Sequence, residues 1–93
     1  MKYAKTNKQT YFVEMTDTYG GESNYSWVNR FLVQSVSPRG AISKVTRETG
    51  YHARLSYDCG DTARYAATSA CICYFVSEAT GQESEVYSRI VTL

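Results

Sequence analysis

A chain of 93 residues, 43% hydrophobic and 20% charged, has material for one small core and too few charges to be a disordered tail. Its net charge of +1 excludes an acidic mimic of a nucleic-acid backbone and supplies no dominant basic footprint for nonspecific phosphate binding. One proline and six glycines leave no linker or low-complexity stretch, so a single domain over residues 1–93 is expected.

Residues 1–8 carry three lysines and no continuous apolar run, which reads as a weakly ordered basic arm rather than a signal peptide or membrane span. Residues 11–16 alternate as a strand, with Tyr11, Val13 and Met15 on one face and Phe12, Glu14 and Thr16 on the other. Residues 17–24 follow as a connection in which Gly20-Gly21 permits positive φ. Residues 25–36 read as a second strand, apolar on both faces through Trp27, Phe31, Val33, Val28, Leu32 and Val36, with Arg30 and Gln34 expected near its exposed ends.

Start, interior and stop signals then agree on a helix. Ser37 is a cap for the first turn, Pro38 has no N–H to lose, and Gly50 can take the left-handed closing conformation. Ala41, Ile42, Val45 and Thr49 share the face that would be buried. Next, residues 51–58 alternate, placing Tyr51, Ala53, Leu55 and Tyr57 inward and His52, Arg54, Ser56 and Asp58 outward. A turn is expected at 59–62, and the alanines of 63–69 suit either a helical turn or a loop. Residues 70–76 are β-branched and aromatic, and predict a strand. After a turn at 78–83, the last segment has helical spacing but β-branched content, which favours an edge strand. The expected class is α+β: a mostly antiparallel sheet of four to five strands with one helix on a face, in the order β-β-α-β-β.

Chemistry-bearing motifs are sparse. Cys71 and Cys73 would point to one side of a strand, but neither Cys59 nor His52 completes a second ligand pair, so core packing is expected instead of a metal site. The three thiols are odd in number and read as reduced cysteines in a cytosol. His52 is the single histidine and is expected at the surface. Asp17, Glu22, Asp58 and Asp61 fall in predicted loops, where aspartates cap backbone N–H groups more often than they hold a cation. Gly20-Gly21 lacks the lysine and spacing of a phosphate loop. Arg30, Arg39, Lys44, Arg47, Arg54 and Arg64 are interleaved with aromatics, a pattern that meets either phosphates or acidic protein surfaces.

Read together, Gly20–Val28, Arg47-Glu48-Thr49-Gly50, Gly60-Asp61 with Arg64-Tyr65, and Ala70-Cys71-Ile72-Cys73 give the chain a resemblance. It resembles a group of short proteins encoded in bacterial, phage and plasmid genomes, over most of residues 9–77. The resemblance carries over no catalytic residue. It implies a setting in which small mobile-element proteins inhibit a host defence complex, as anti-CRISPR proteins do.

The expectation is therefore a non-enzymatic binding protein without cofactor or metal. It would block a larger host protein or nucleoprotein in the cytosol through Tyr19, Glu22, Tyr25, Arg39, Lys44 and Arg47, because Tyr and Arg anchor interfaces. The alternative is a nucleic-acid-binding module using the helix face and the basic arm. No membrane partner is expected, and a homodimer through an exposed strand edge is compatible with so short a sheet.

Overall fold

The computed structural model describes residues 8–19 and 22–93. The basic arm, except for Lys8, and the Gly20-Gly21 pair lie outside the described residues. The elements in chain order are β1 (Gln9–Tyr19), β2 (Glu22–Ser35), α1 (Pro38–Thr49), β3 (Ala53–Asp58), β4 (Thr62–Ala67), β5 (Ile72–Glu78), α2 (Glu83–Val86) and β6 (Val91–Thr92). The class is α+β as expected, but the sheet has six strands, in the order β3-β4-β5-β1-β2-β6, and a second, one-turn helix is present. All pairings are antiparallel except β2 with β6.

The helix forms where its signals placed it. The Ser37 hydroxyl accepts from the Gly40 N–H at 3.0 Å, and Gly50, at φ 89°, donates its N–H to the Thr46 carbonyl at 2.7 Å. Ala41, Ile42 and Val45 are buried against the sheet. Full burial of side chains such as Ile42 and Val45 contributes roughly 1.5–3 kcal/mol each. Their counterparts are Tyr11, Val13 and Met15 of β1, Phe31 and Val33 of β2, Tyr74 and Val76 of β5, and Ala63 and Tyr65 of β4. At the end of α1 the Thr49 hydroxyl lies 2.9 Å from the Val45 carbonyl and forms a hydrogen bond with the buried Tyr74 hydroxyl at 2.8 Å, and the Tyr74 hydroxyl in turn lies 3.4 Å from the Tyr51 carbonyl. Burial, only partly offset by the Thr49 hydrogen bond, raises the Tyr74 phenol above its ordinary range.

Four sequence expectations are corrected. Residues 63–69 do not form a helical turn or loop: Thr62–Ala67 is a strand, because Ala63 and Tyr65 alternate into the core. The final segment is not one edge strand. It makes a helical turn, then two residues of parallel strand that cover β2 opposite Phe31 and Leu32. Residues 17–24 are not purely a connection, since β1 runs to Tyr19 and β2 starts at Glu22. Finally, the strand at 53–58 is one edge of the sheet, and Leu55 and Tyr57 are exposed rather than inward, as is Tyr51 before it. A β-bulge between Leu55 and Tyr57 moves Tyr57 to the face opposite α1.

Two smaller expectations also fail. Arg30 is not near a strand end but in the middle of β2, where it pairs with Glu14. Val36 lies beyond the strand and is exposed, as Trp27 is in part.

The tail is fastened by Glu83, which is buried while accepting from the Thr80 N–H at 2.7 Å, the Thr80 hydroxyl at 3.1 Å and the Gly81 N–H at 3.0 Å. Burial pushes this carboxyl up, but the hydrogen bonds together outweigh it and hold it below its ordinary value of 4.5. Stabilisation from a depressed carboxyl is present above the unfolded value and is lost as pH falls through the folded one. Denaturation midpoints should therefore drop as pH is lowered below 4.5, and Glu83→Gln should flatten that dependence. At neutral pH, removing the three hydrogen bonds with Glu83→Ala should cost about 2 kcal/mol, read from urea denaturation. Separately, Tyr74→Phe should cost about 1 kcal/mol, lowering the melting temperature by about 4–8 °C in a calorimetric scan.

Candidate functional site

Side chains on the face opposite α1 form one row across five strands. Tyr57 of β3 stands opposite Arg64 of β4, Arg64 opposite Phe75 of β5, Phe75 opposite Glu14 of β1, and Glu14 opposite Arg30 of β2. Side chains directly opposite across a ladder have Cβ atoms about 4.5–5.5 Å apart, so the five act as a continuous surface. Arg30 Nε donates to Glu14 Oε2 at 3.0 Å, the one ion pair among the described residues. The same guanidinium lies 3.9 Å above the Tyr87 ring, which stacks on Phe12 at 5.6 Å. The tail thus covers the Phe12 end of this face. Tyr25 stacks over the Phe75 end.

Tyr25 reaches Phe75 through an irregular loop within β2. Between the pairs Thr16–Val28 and Thr18–Ser23, β1 has one residue and β2 has four, residues 24–27. Tyr25 has φ 55°, the only positive value at a non-glycine among the described residues. That conformation costs an L-residue roughly 1–2 kcal/mol. Two residues on β1 clamp the loop. Asp17 Oδ1 accepts from the Ser26 N–H at 3.0 Å, and the fully buried Thr16 donates its hydroxyl to the Trp27 carbonyl at 2.8 Å. Hydrogen bonding from Ser26, the largest cause, holds the Asp17 carboxyl below its ordinary range. The clamp is therefore ionised at neutral pH.

So held, the Tyr25 ring stacks on Phe75 at 6.2 Å with an interplanar angle of 11°, yet remains 52% exposed. Partial burial, then the nearby Glu14 carboxylate, raises its phenol, while Arg64 acts in the opposite direction. At neutral pH its hydroxyl is thus a donor. Beneath the loop, Cys73 is buried with its Sγ 3.2 Å from Ser23 Oγ. Arg64 Nη1 donates to Ser56 Oγ at 3.1 Å, which anchors the guanidinium beside Tyr57.

The six residues expected to form one contact surface do not come together. Tyr25 lies on the face opposite α1, while Tyr19 and Glu22 sit where β1 and β2 meet. Arg39 and Arg47 line a cleft of about 610 Å³ between α1 and the β3–β4 side, with His52 and Tyr65. Lys44 is drawn to the other side of α1, where its ammonium donates to the Gln34 carbonyl. At 3.6 residues per turn Lys44 stands about 140° from Arg39 around the axis and about 60° from Arg47, so Arg47 lies between the two. Arg39 and Lys44 therefore flank the exposed side of α1 in opposite directions, and Lys44 is engaged with the sheet.

Of the residues on this patch, the sequence reading names Tyr25 and notes Arg64 but does not single out Tyr57 or Phe75. Alternation of Arg64 against Tyr65, and of Phe75 against Tyr74, was available as a signal. The bulge that turns Tyr57 outward was not.

The remaining motifs stay apart. Asp58 Oδ1 accepts from the Gly60 N–H at 2.8 Å, the expected turn cap. Asp58 and Asp61 adjoin Gln9 and Tyr11, at the far end of β1 from Asp17, so the four loop acids do not converge. Among the described residues no group of three metal-ligating side chains is assembled. Cys59 is exposed, and Cys71 is exposed just before β5 rather than packed in the core as expected. No helix of the described residues is long and apolar enough to cross a membrane. Comparison with family models, curated proteins and solved structures gives no match.

If the Tyr25 conformation is strained for position rather than stability, Tyr25→Gly should leave folding nearly unchanged. The strain released, about 1 kcal/mol, offsets a similar loss of ring stacking. The melting temperature should stay within about 5 °C of the parent chain, measured by circular dichroism.

Proposed function

We propose that this chain is a non-catalytic binding protein that covers a functional surface of a larger protein or nucleoprotein. Contact is made by the face opposite α1, around Tyr25. The observation that carries this reading is the left-handed backbone at Tyr25, clamped by Asp17 and Thr16, which displays a half-exposed ring over Phe75. Backbone strain of this kind persists where surrounding structure enforces it, and it clusters at sites of function. Tyr57 and Arg64 extend the patch with the residue types that anchor interfaces. Blocking by occupancy requires shape and anchors, not a nucleophile or a metal. Inhibition of a host defence complex by a phage or mobile-element protein in the cytosol is the setting that the resemblance implies.

The test is affinity capture from the native host with parent chain and variants compared side by side. A specific partner recovered by the parent should fall about tenfold or more with the Tyr25→Ala/Arg64→Ala pair, as expected for anchor residues. Arg47→Ala, on the α1 side, should leave recovery unchanged. Equal recovery by the Tyr25/Arg64 pair and the parent would remove this face as the contact surface.

A further inference from the structure

We infer that the uncovered part of the Tyr25 face is a stacking platform for single-stranded nucleic acid. Bases lie on the Tyr25 and Tyr57 rings, and a phosphate is drawn to Arg64. This rests on the reading of that face as the contact surface, and it names what the face meets.

Charge and ring geometry on this face both point to the same occupant. Strand register places Arg54, Arg64 and Arg30 here with Glu14 as the carboxylate of the row. Glu14 is already held by Arg30 at 3.0 Å. The charge left to a ligand is thus the guanidinium of Arg64, whose hydrogen bond goes to the neutral Ser56 hydroxyl, and that of Arg54 at the edge strand. Guanidinium forks suit phosphate oxygens.

Between these cations lie ring faces. Tyr25 is 52% exposed and Tyr57 47% exposed, and Phe75 supports Tyr25 from beneath. An acidic protein segment would satisfy the arginines but could cover the tyrosines only where aromatic side chains of its own fall at the matching positions, whereas every nucleotide carries both a phosphate and a ring. A duplex has its bases already stacked. Single strands present both phosphates and free base faces, and base–aromatic stacking tolerates any sequence. The helix face expected for this role has Lys44 engaged with the Gln34 carbonyl, and the cleft beside Arg39 and Arg47 is lined by a single tyrosine, Tyr65, which is buried.

The experiment measures fluorescence anisotropy of short labelled oligonucleotides, oligo-dT and oligo-U as separate arms, with a duplex of equal length as comparison, at low salt. Saturable binding of at least one single strand, tighter than the duplex, is expected. Tyr25→Ala should weaken it about tenfold, Tyr25→Phe should retain most of it, and Arg64→Ala should make the salt dependence shallower by about 0.7. Arg47→Ala should match the parent, and circular dichroism of each variant checks its fold. If neither single strand binds, or if Tyr25→Ala binds as well as the parent, the inference is overturned. In that event, loss of protein capture by the Tyr25/Arg64 pair would leave the contact face standing with a protein occupant. Unchanged capture would end both readings.

Discussion

The contact on which the structure depends is that of Ala41, Ile42 and Val45 with one face of β1, β2 and β5. Val13 and Val33 of the sheet and Val45 of the helix are fully buried there, and the capped ends of α1 fix where this short helix begins and stops. A chain this small has one such core to make, and it cannot protect both faces of six strands. Everything on the opposite face follows from that shortage. Phe12 is covered by Tyr87 from the tail, and Phe75 by Tyr25 from a loop of the same sheet. Both covers are rings, because a ring shields the most apolar surface for the fewest frozen torsions.

The two covers differ in what holds them. Tyr87 follows α2, whose start is tied by three hydrogen bonds to a buried carboxylate, and Arg30 closes over its ring. That arrangement is satisfied on every side and reads as structure. Tyr25, in contrast, is placed by an unfavourable backbone angle and leaves half its ring in solvent. A cover needed only for the core would be expected to bury more and strain less. This contrast, between two stacked pairs on one face, sets the proposed contact patch apart from the packing around it.

How far the sequence was legible depends on the range of the signal. The helix could be read to within a residue, since Ser37, Pro38 and Gly50 act through their own turn. The inward set Tyr11, Val13 and Met15 was equally plain from alternation. The Thr62–Ala67 strand was hidden because alanine carries little β signal. It is a strand because Tyr65 and Ala63 meet Tyr74 and Val76 across the ladder. The edge position of β3 was invisible for another reason. Leu55 and Tyr57 alternate as inward residues would, but nothing in the strand tells it that no element lies beyond. One bulge then reverses the facing of Tyr57, and a period-two reading cannot survive an inserted residue.

The same limit explains why the six candidate residues do not share one face. Grouping Arg39, Lys44 and Arg47 with Tyr19, Glu22 and Tyr25 assumed that helix cations and hairpin aromatics share a side. In an α-on-β arrangement the helix and the opposite sheet face are separated by the thickness of the core. A residue belongs to a functional patch through its register partner, not its neighbour in the chain. Tyr57, Arg64, Phe75, Glu14 and Arg30 are spread over 62 positions of the sequence but are consecutive across the ladder. Tyr25 joins them only because four residues of β2 bow out against one of β1, and Asp17 and Thr16 hold the bow in place. The surface therefore belongs to the pairing of the strands, and its most informative residue is the one whose backbone the pairing has forced.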